Sequence, residues 1–283
     1  MEIQFTLFGK DEPEPEPFEA DLEEFTQEIQ SENEEEEEEK PQDKIALVSY
    51  AYAFQSEFDP KAFVAAFEKL PSYDCQYEKD MKEHGFVHYP QEFPEKHEDV
   101  VHDAYKVAKK ATEDLQFPVC LAGDSSLLYG FVKGLHTEYD DLGVVKLGAR
   151  CDVHDNEEEP YAPQCAMRRV HEITPHMSFV GTKIIDEAEK DFIEKHKLWC
   201  LFSHNIHDYD KWMEPFVKGL QKHVCLAVSF DCLDHGGLDW HQVMKLMELM
   251  VKEKTVVGIY FYDVKDTEAC AQFLQKLLVL VHR

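Results

Sequence analysis

The chain has 283 residues, 43% of them hydrophobic, and a formal net charge of −29. This length allows one large α/β domain or two small ones, and the apolar content is enough for a sizeable core. The negative charge argues against nucleic acid as a partner, because its phosphates would be repelled, and favours basic proteins or small cations. With no apolar run near the ~20 residues of a membrane span, no signal-peptide pattern and no C-x-x-C pair among eight cysteines, we expect a cytoplasmic protein without membrane contact.

Residues 1–43 differ in composition from the rest of the chain. Between positions 11 and 43 there are 17 acidic residues and one basic residue. Within this stretch Phe18, Leu22, Phe25 and Ile29 recur at helical spacing, which predicts one amphipathic helix in an acidic N-terminal segment or linker. An isolated helix of this kind needs a surface for its apolar face, so it docks either on its own domain or on a protein partner.

From residue 44 onward, apolar strand-like runs alternate with helical patterns. The predicted strands are 45–50, 117–122, 142–148, 177–181, 198–202, 224–230 and 256–262. One predicted helix begins at Pro60. The others cover 97–113, 126–137, 186–196, 208–222, 239–253 and 267–281. Such alternation predicts a second domain, 44–283, with a mainly parallel sheet covered by helices on both sides. In these sheets ligands bind beyond the carboxyl ends of the strands.

Three short segments follow predicted strands in that domain. They read A-G-D-S-S at 122–126, G-A-R-C-D at 148–152 and S-F-D-C-L at 229–233. Their order and spacing resemble the ureohydrolase family, which includes arginase, agmatinase and formiminoglutamase, with the patterns G-G-D-H-S, D-A-H-x-D and S-x-D-x-D. The resemblance covers most of residues 44–283. It implies a three-layer α-β-α sandwich with a mainly parallel sheet of about eight strands, and a homo-oligomer.

In that family two Mn²⁺ ions at the strand ends activate the hydroxide that attacks a guanidine-type carbon. The resemblance places the six metal-ligand positions on Ser125, Gly148, Arg150, Asp152, Asp231 and Leu233. Only Asp152 and Asp231 remain as ligands, and two carboxylates cannot balance four positive charges. We therefore expect no metal cofactor, with manganese lost. Arg150 is predicted either to replace the metals by pairing with Asp152 and Asp231, or to turn toward solvent.

Other family positions are also altered. The resemblance places the proton-transfer histidine on Pro163 and the glutamate that recognises a guanidinium on Asp263. Asp124 or Ser125 is expected to cap a helix. The predicted ligand pocket consists of Asp124, Ser125, Arg150, Asp152, Asp231 and Asp263, with no catalytic residue assigned. A rebuilt site for one Zn²⁺ or Fe²⁺ is the alternative, with ligands among Cys151, Asp152, His154, Asp231, Cys232 and His235.

These residues lead to one functional hypothesis and one alternative. The hypothesis is a catalytically degenerate ureohydrolase-fold protein that acts as a binding or regulatory protein. Its ligand is a small cation held by Asp152, Asp231 and Asp263, or its partner is a protein bound through residues 1–43. The alternative is an active hydrolase of linear amidines or guanidines that uses a rebuilt or mononuclear metal site.

Overall fold

The computed structural model describes residues 44–50, 58–90, 96–206, 210–234, 237–264 and 267–282. The acidic segment 1–43, its predicted helix and His235 lie outside the described residues. None of the described helices is both long and apolar enough to cross a bilayer.

The described strands form one large sheet and one small hairpin. In chain order they are β1 (Lys44–Ser49), β2 (Tyr73–Asp74), β3 (Lys79–Asp80), β4 (Gly85–Pro90), β5 (Gln116–Leu121), β6 (Gly143–Leu147), β7 (Met177–Thr182), β8 (Trp199–Phe202), β9 (His223–Ser229) and β10 (Thr255–Tyr262). The large sheet has eight strands in the order β4-β1-β5-β10-β9-β6-β7-β8. Every neighbouring pair in it is parallel, whereas β2 and β3 pair antiparallel.

Helices cover both faces of the large sheet. They are α1 (Pro60–Lys69), α2 (His97–Glu113), α3 (Leu128–Leu135), α4 (Ala166–Val170), α5 (Glu187–His196), α6 (Met213–Gly219), α7 (Asp231–Asp234), α8 (Trp240–Glu253) and α9 (Thr267–Val281). One apolar cluster joins the sheet to α1, α6, α8 and α9, with Phe63 and Leu274 fully buried. A second joins the opposite face to α2, α3, α4 and α5, with Phe131 as a central ring. The predicted three-layer α-β-α sandwich with a parallel eight-stranded sheet is confirmed.

Local sequence signals explain most element boundaries. Helix α1 begins after Asp59, whose carboxylate accepts hydrogen bonds from the backbone N–H groups of Lys61 and Ala62. Helix α2 covers the predicted range. The predicted helix 208–222 is wrong in length, because α6 ends at Gly219 and Leu220 is already extended. Strand β4 was not predicted, since its sequence GFVHYP carries too short an apolar run.

The strand order fixes where the predicted segments meet. Strands β5, β10, β9 and β6 are consecutive neighbours in the sheet. Their carboxyl ends lead into Asp124, Asp263, Asp231 and residues 148–152, respectively. Because parallel strands end at the same edge, the fold brings these four segments to one central site.

Candidate functional site

A cavity of about 480 Å³ lies at the carboxyl ends of the four central strands. It is lined by the six residues of the predicted pocket: Asp124, Ser125, Arg150, Asp152, Asp231 and Asp263. Asp124 also accepts a hydrogen bond from the backbone N–H of Ser126 at 3.0 Å, so the predicted capping role is confirmed. Pro163 lines the cavity as well, and it cannot carry a proton in the place where the family has a histidine.

Lys146 of β6 places a buried positive charge in this cavity. Its ammonium group pairs with the Asp152 carboxylate, and the two side chains are 2% and 11% exposed. The same Nζ donates to the backbone carbonyl of Arg150 at 2.8 Å. Ser125 Oγ lies 3.3 Å from the same Asp152 oxygen that pairs with Lys146. The retained Asp152 is therefore already neutralised by a side chain of the chain itself.

Gly148 lies between the side chains of Lys146, Ser229 and Asp231. A Cβ atom at position 148 would stand 3.9 Å from Lys146 Cε, 3.4 Å from Asp231 Oδ1 and 3.2 Å from the Cβ of Ser229. An aspartate in this position, as the family has, would extend into the volume between Lys146 and Asp231.

The predicted ion pair of Arg150 with Asp152 and Asp231 is wrong. The Arg150 side chain is exposed, and Lys146 is the cation beside Asp152. Arg150 follows the end of β6 and pairs through its backbone with Ile184, so its guanidinium stays hydrated at the rim of the cavity. The sequence did carry a signal for the missed residue, since Lys146 is a charged side chain within an otherwise apolar strand that is buried throughout.

Asp231 and Asp263 share the hydroxyl group of Ser229 on the other side of the cavity. Ser229 Oγ lies 2.6 Å from Asp231 Oδ1 and 2.7 Å from Asp263 Oδ2. One hydroxyl hydrogen cannot serve two carboxylates, so both short contacts are hydrogen bonds only when one carboxyl group is protonated and donates to the serine. Burial, followed by the neighbouring negative charge of Asp231, raises the pKa of Asp263 to about 6 against the hydrogen bond from Ser229.

Tyr262 adds an unsatisfied hydroxyl group to the cavity wall. Its Oη is buried and has no hydrogen-bond partner among the described residues. Burial, and then the nearby Asp152, Asp263 and Asp231 carboxylates, raise the pKa of Tyr262 well above its usual range. A neutral phenol beside two carboxylates is suited to a ligand that brings its own hydrogen-bonding groups.

The residues present do not fit a pair of manganese ions. Of the six positions that the resemblance assigns to metal ligands, three hold Ser125, Gly148 and the exposed Arg150, and a fourth holds Leu233, which packs against the apolar core. The ammonium group of Lys146 would repel an added cation by about 4 kcal/mol per unit charge at about 4 Å and an effective dielectric of ~20. Neither the number of donors nor the charge balance supports two divalent ions at this position.

The donors of the alternative single-metal site are dispersed. Cys151 Sγ lies 3.5 Å from Thr182 Oγ1 and 3.9 Å from Cys200 Sγ, away from the cavity. Cys232 is part of the apolar core. His154 is directed to two carboxylates of a different segment. The described residues of this set therefore do not converge on one point.

Comparison with known proteins shows which family this chain resembles. The sequence profile described as the arginase family matches residues 48–266. The N(1)-aminopropylagmatine ureohydrolase of Thermococcus kodakarensis is 24% identical over 231 residues, which cover 76% of this chain and 78% of that protein. For the protein of the same name from Thermus thermophilus, the match is 24% over 157 residues and spans 54% of its length.

A solved structure shows the same architecture. The agmatine ureohydrolase of Thermoplasma volcanium superposes with a TM-score of 0.73 at 19% sequence identity, covering 85% of this chain and 90% of that one. The three strand-end segments that carried the resemblance all lie within the residues that the family profile matches. On the profile match, the fold and the placement of these segments, this chain belongs to the arginase family.

Proposed function

We propose that this chain is a ureohydrolase-fold binding protein that has lost the binuclear manganese site and its hydrolytic activity. One observation carries the proposal: the Lys146 ammonium group is buried in the cavity, paired with Asp152, beside the space left by Gly148. A fixed ammonium group neutralises the Asp152 carboxylate, but it cannot lower the pKa of a bound water as a metal does. The fold is thus kept without its source of an activated nucleophile.

The unpaired half of the cavity supports a small cationic ligand. Asp231, Asp263 and the Tyr262 hydroxyl group lie on one side of it, and Lys146 neutralises only Asp152. An amine or guanidinium group would supply the positive charge and the donors that these groups lack. Arg150 stands at the exposed rim and would attract a ligand whose far end is anionic.

Metal analysis tests the loss of the manganese site. The protein is incubated with excess Mn²⁺, passed through a desalting column and measured by elemental analysis. We expect no manganese retained in the cavity, so that wild type and Asp231→Asn give equal contents. Two tightly held ions per chain that disappear in Asp231→Asn would overturn the proposal.

Calorimetric titration tests the ligand class. Agmatine and arginine carry the same guanidinium group, and only arginine adds a carboxylate for the rim. We expect binding that is lost in Asp231→Asn and retained in Asp191→Asn, whose carboxylate is exposed on α5. If neither agmatine nor arginine gives a binding signal in the titration, the cationic ligand is no longer part of the proposal.

A hydrolase with a rebuilt site is the second candidate. The observation that favours it is the match to two proteins named ureohydrolases. Release of urea, ammonia or formamide is measured with arginine, agmatine and formiminoglutamate. We expect none above the blank. Turnover that Asp152→Ala abolishes would replace the first candidate by this one.

Residues 1–43 give a further part of the proposal, a docking segment for a basic protein partner. Its basis is the acidic composition together with the apolar stripe of Phe18, Leu22, Phe25 and Ile29. Deletion of residues 1–43 should abolish capture of such a partner while the domain stays folded by circular dichroism. Unchanged capture by the truncated chain would contradict it. Oligomeric state, expected to be homo-oligomeric from the family, is read from light scattering of the same two proteins.

A further inference from the structure

Three side chains outside the cavity present metal-binding atoms to one another. His154 lies in the segment that follows β6, Asp186 caps the N-terminus of α5, and Glu189 lies in the first turn of that helix. One ligand atom from each lies within 4.8 Å of the others. An imidazole with two carboxylates is a mixed donor set that Zn²⁺ accepts.

Two of the distances between these atoms are close to the edge of a zinc coordination tetrahedron. His154 Nε2 is 3.4 Å from Asp186 Oδ2 and 3.8 Å from a carboxylate oxygen of Glu189. Ligand atoms at the corners of a tetrahedron with zinc bond lengths of about 2.0–2.2 Å stand about 3.3–3.6 Å apart. The Asp186 and Glu189 oxygens lie within 4.8 Å of each other, so Glu189 must move inward for one ion to reach all three atoms. The side chains of His154 and Asp186 are 36% and 54% exposed, so an ion can enter and a water can take the fourth position.

Backbone hydrogen bonds already orient both carboxylates. Asp186 Oδ1 accepts from the backbone N–H of Glu189 at 2.9 Å, which leaves Oδ2 directed to His154. Glu189 Oε1 accepts from the backbone N–H of Val153 at 3.2 Å, and Oε2, which faces His154, accepts from the backbone N–H of Asp186 at 3.4 Å. Such contacts fix ligand geometry before an ion binds, as outer-shell hydrogen bonds do in known metal sites.

The two neighbouring carboxylates of Asp186 and Glu189 are stabilised by a nearby cation. Glu189 is 6% exposed, and a buried carboxylate next to a second one is costly without a positive partner. Two arrangements meet this need: a protonated His154 that pairs with both carboxylates, or a neutral His154 that shares a divalent ion with them. The separation of His154 Nε2 from Asp186 Oδ2, close to a tetrahedral edge, favours the second.

We propose that His154, Asp186 and Glu189 form a site for one zinc-class divalent ion, separate from the cavity. The ion would join two segments that build the cavity wall. His154 is two residues from Asp152, and Asp186 is two residues from Ile184, which lines the cavity with Lys183. Binding would therefore hold one wall of the cavity in place without contributing a ligand to the cavity itself.

Titration of the full chain with Zn²⁺ tests this site. Asp186→Asn keeps an oxygen for the backbone N–H of Glu189, whereas Glu189→Gln removes the charge together with one of the two oxygens that accept the backbone N–H groups of Val153 and Asp186. We expect one equivalent to bind wild type, with affinity at least about tenfold lower in each of these variants and in His154→Ala. Glu187→Gln, exposed in the same helical turn, is the matched control and should bind as wild type does.

A second readout reports the effect on the wall. Hydrogen exchange of residues 183–186 should slow on zinc addition in wild type and remain unchanged in His154→Ala. Failure of wild type to bind one equivalent, or equal binding by wild type and His154→Ala, overturns the site. An ion that Asp231→Asn removes and Glu189→Gln retains would instead lie in the cavity, and that result would contradict the proposed function as well.

Discussion

The two sides of the cavity differ in how their carboxylates are balanced by positive charge. On the β6 side, Lys146 pairs with Asp152. On the side of β9 and β10, Asp231 and Asp263 have only the Ser229 hydroxyl group between them, and the pKa of Asp263 rises to about 6. The Asp152 carboxylate thus has a cation beside it, whereas the Asp231 and Asp263 pair is stabilised by a proton or by a cationic ligand.

This difference separates structural roles from binding roles. A buried ion pair is part of the folded structure, and removing one of its partners destabilises the protein. A pair of buried carboxylates without a positive partner makes the stability of the fold depend on pH and on bound ligands. Lys146 should therefore govern stability, Asp263 should govern the response to pH, and Arg150 at the rim should govern neither.

The largest expected effect is that of Lys146→Met. The substitution leaves the buried Asp152 carboxylate without its cation, which costs roughly 3–5 kcal/mol of unfolding free energy for pairs of this kind. Urea unfolding followed by circular dichroism measures the loss. Lys110→Met on α2 is the control, because its ammonium group pairs with Asp114 on the solvent-exposed surface and the substitution should change stability by less than about 1 kcal/mol.

The double variant Lys146→Met/Asp152→Asn shows whether the ion pair is the reason. Without a charge at either position, no unpaired carboxylate remains, and we expect most of the lost stability to return. Equal instability of the single and double variants would assign the effect to packing of the lysine side chain. The two sides of the cavity would then not differ in the way described above.

Asp263→Asn should show the next largest effect, and only at neutral pH. The folded chain keeps the Asp263 proton up to about pH 6, whereas its ordinary pKa is 3.8. The stabilisation from this group is thus complete below pH ~4 and is lost as pH rises through 6, by up to about 3 kcal/mol. Asparagine has no proton to lose. We expect urea unfolding to give a variant more stable than wild type at pH 7.5 and nearly equal to it at pH 4.

The same proton should control the affinity for a cationic ligand. An amine or guanidinium group binds the ionised form of Asp263, so affinity should fall as pH decreases below 6, approaching a tenfold loss per pH unit. Calorimetric titration with agmatine at pH 5, 6 and 7 follows it. In Asp263→Asn the binding that remains should no longer depend on pH in this range. A pH-independent affinity in wild type would show that the ligand does not contact this carboxyl group.

Much of the fold was accessible from the sequence because local and long-range signals agree. Continuously apolar runs such as 224–230 predict strands buried on both faces, and the alternation with helices predicts parallel pairing. The N-cap at Asp59 and the helical range 97–113 are encoded locally. Strand β4 is different, since it is stabilised by pairing with β1 at the sheet edge, a contact that its own residues do not specify.

The sequence predicted which residues line the cavity, but not which cation pairs with Asp152. Strand ends fix which residues reach the cavity, so Asp124, Asp152, Asp231 and Asp263 follow from sequence and topology. Which cation reaches Asp152 depends on side-chain length, on the empty space at Gly148 and on the direction in which residue 150 leaves the strand. These are tertiary properties, and position in the motif alone pointed to the wrong cation.

Arg150→Ala should have the smallest effect, and it separates the two candidate cations directly. The guanidinium is exposed at the rim, whereas the Lys146 ammonium group is buried against Asp152. An exposed side chain without a structural role changes stability by no more than about 0.5 kcal/mol on truncation, so wild type and Arg150→Ala should unfold at nearly the same urea concentration. A loss as large as that of Lys146→Met would mean that Arg150 also pairs with the cavity carboxylates in solution. If instead the variant binds arginine more weakly and agmatine as wild type does, Arg150 acts on the far end of the ligand, as its place at the rim requires.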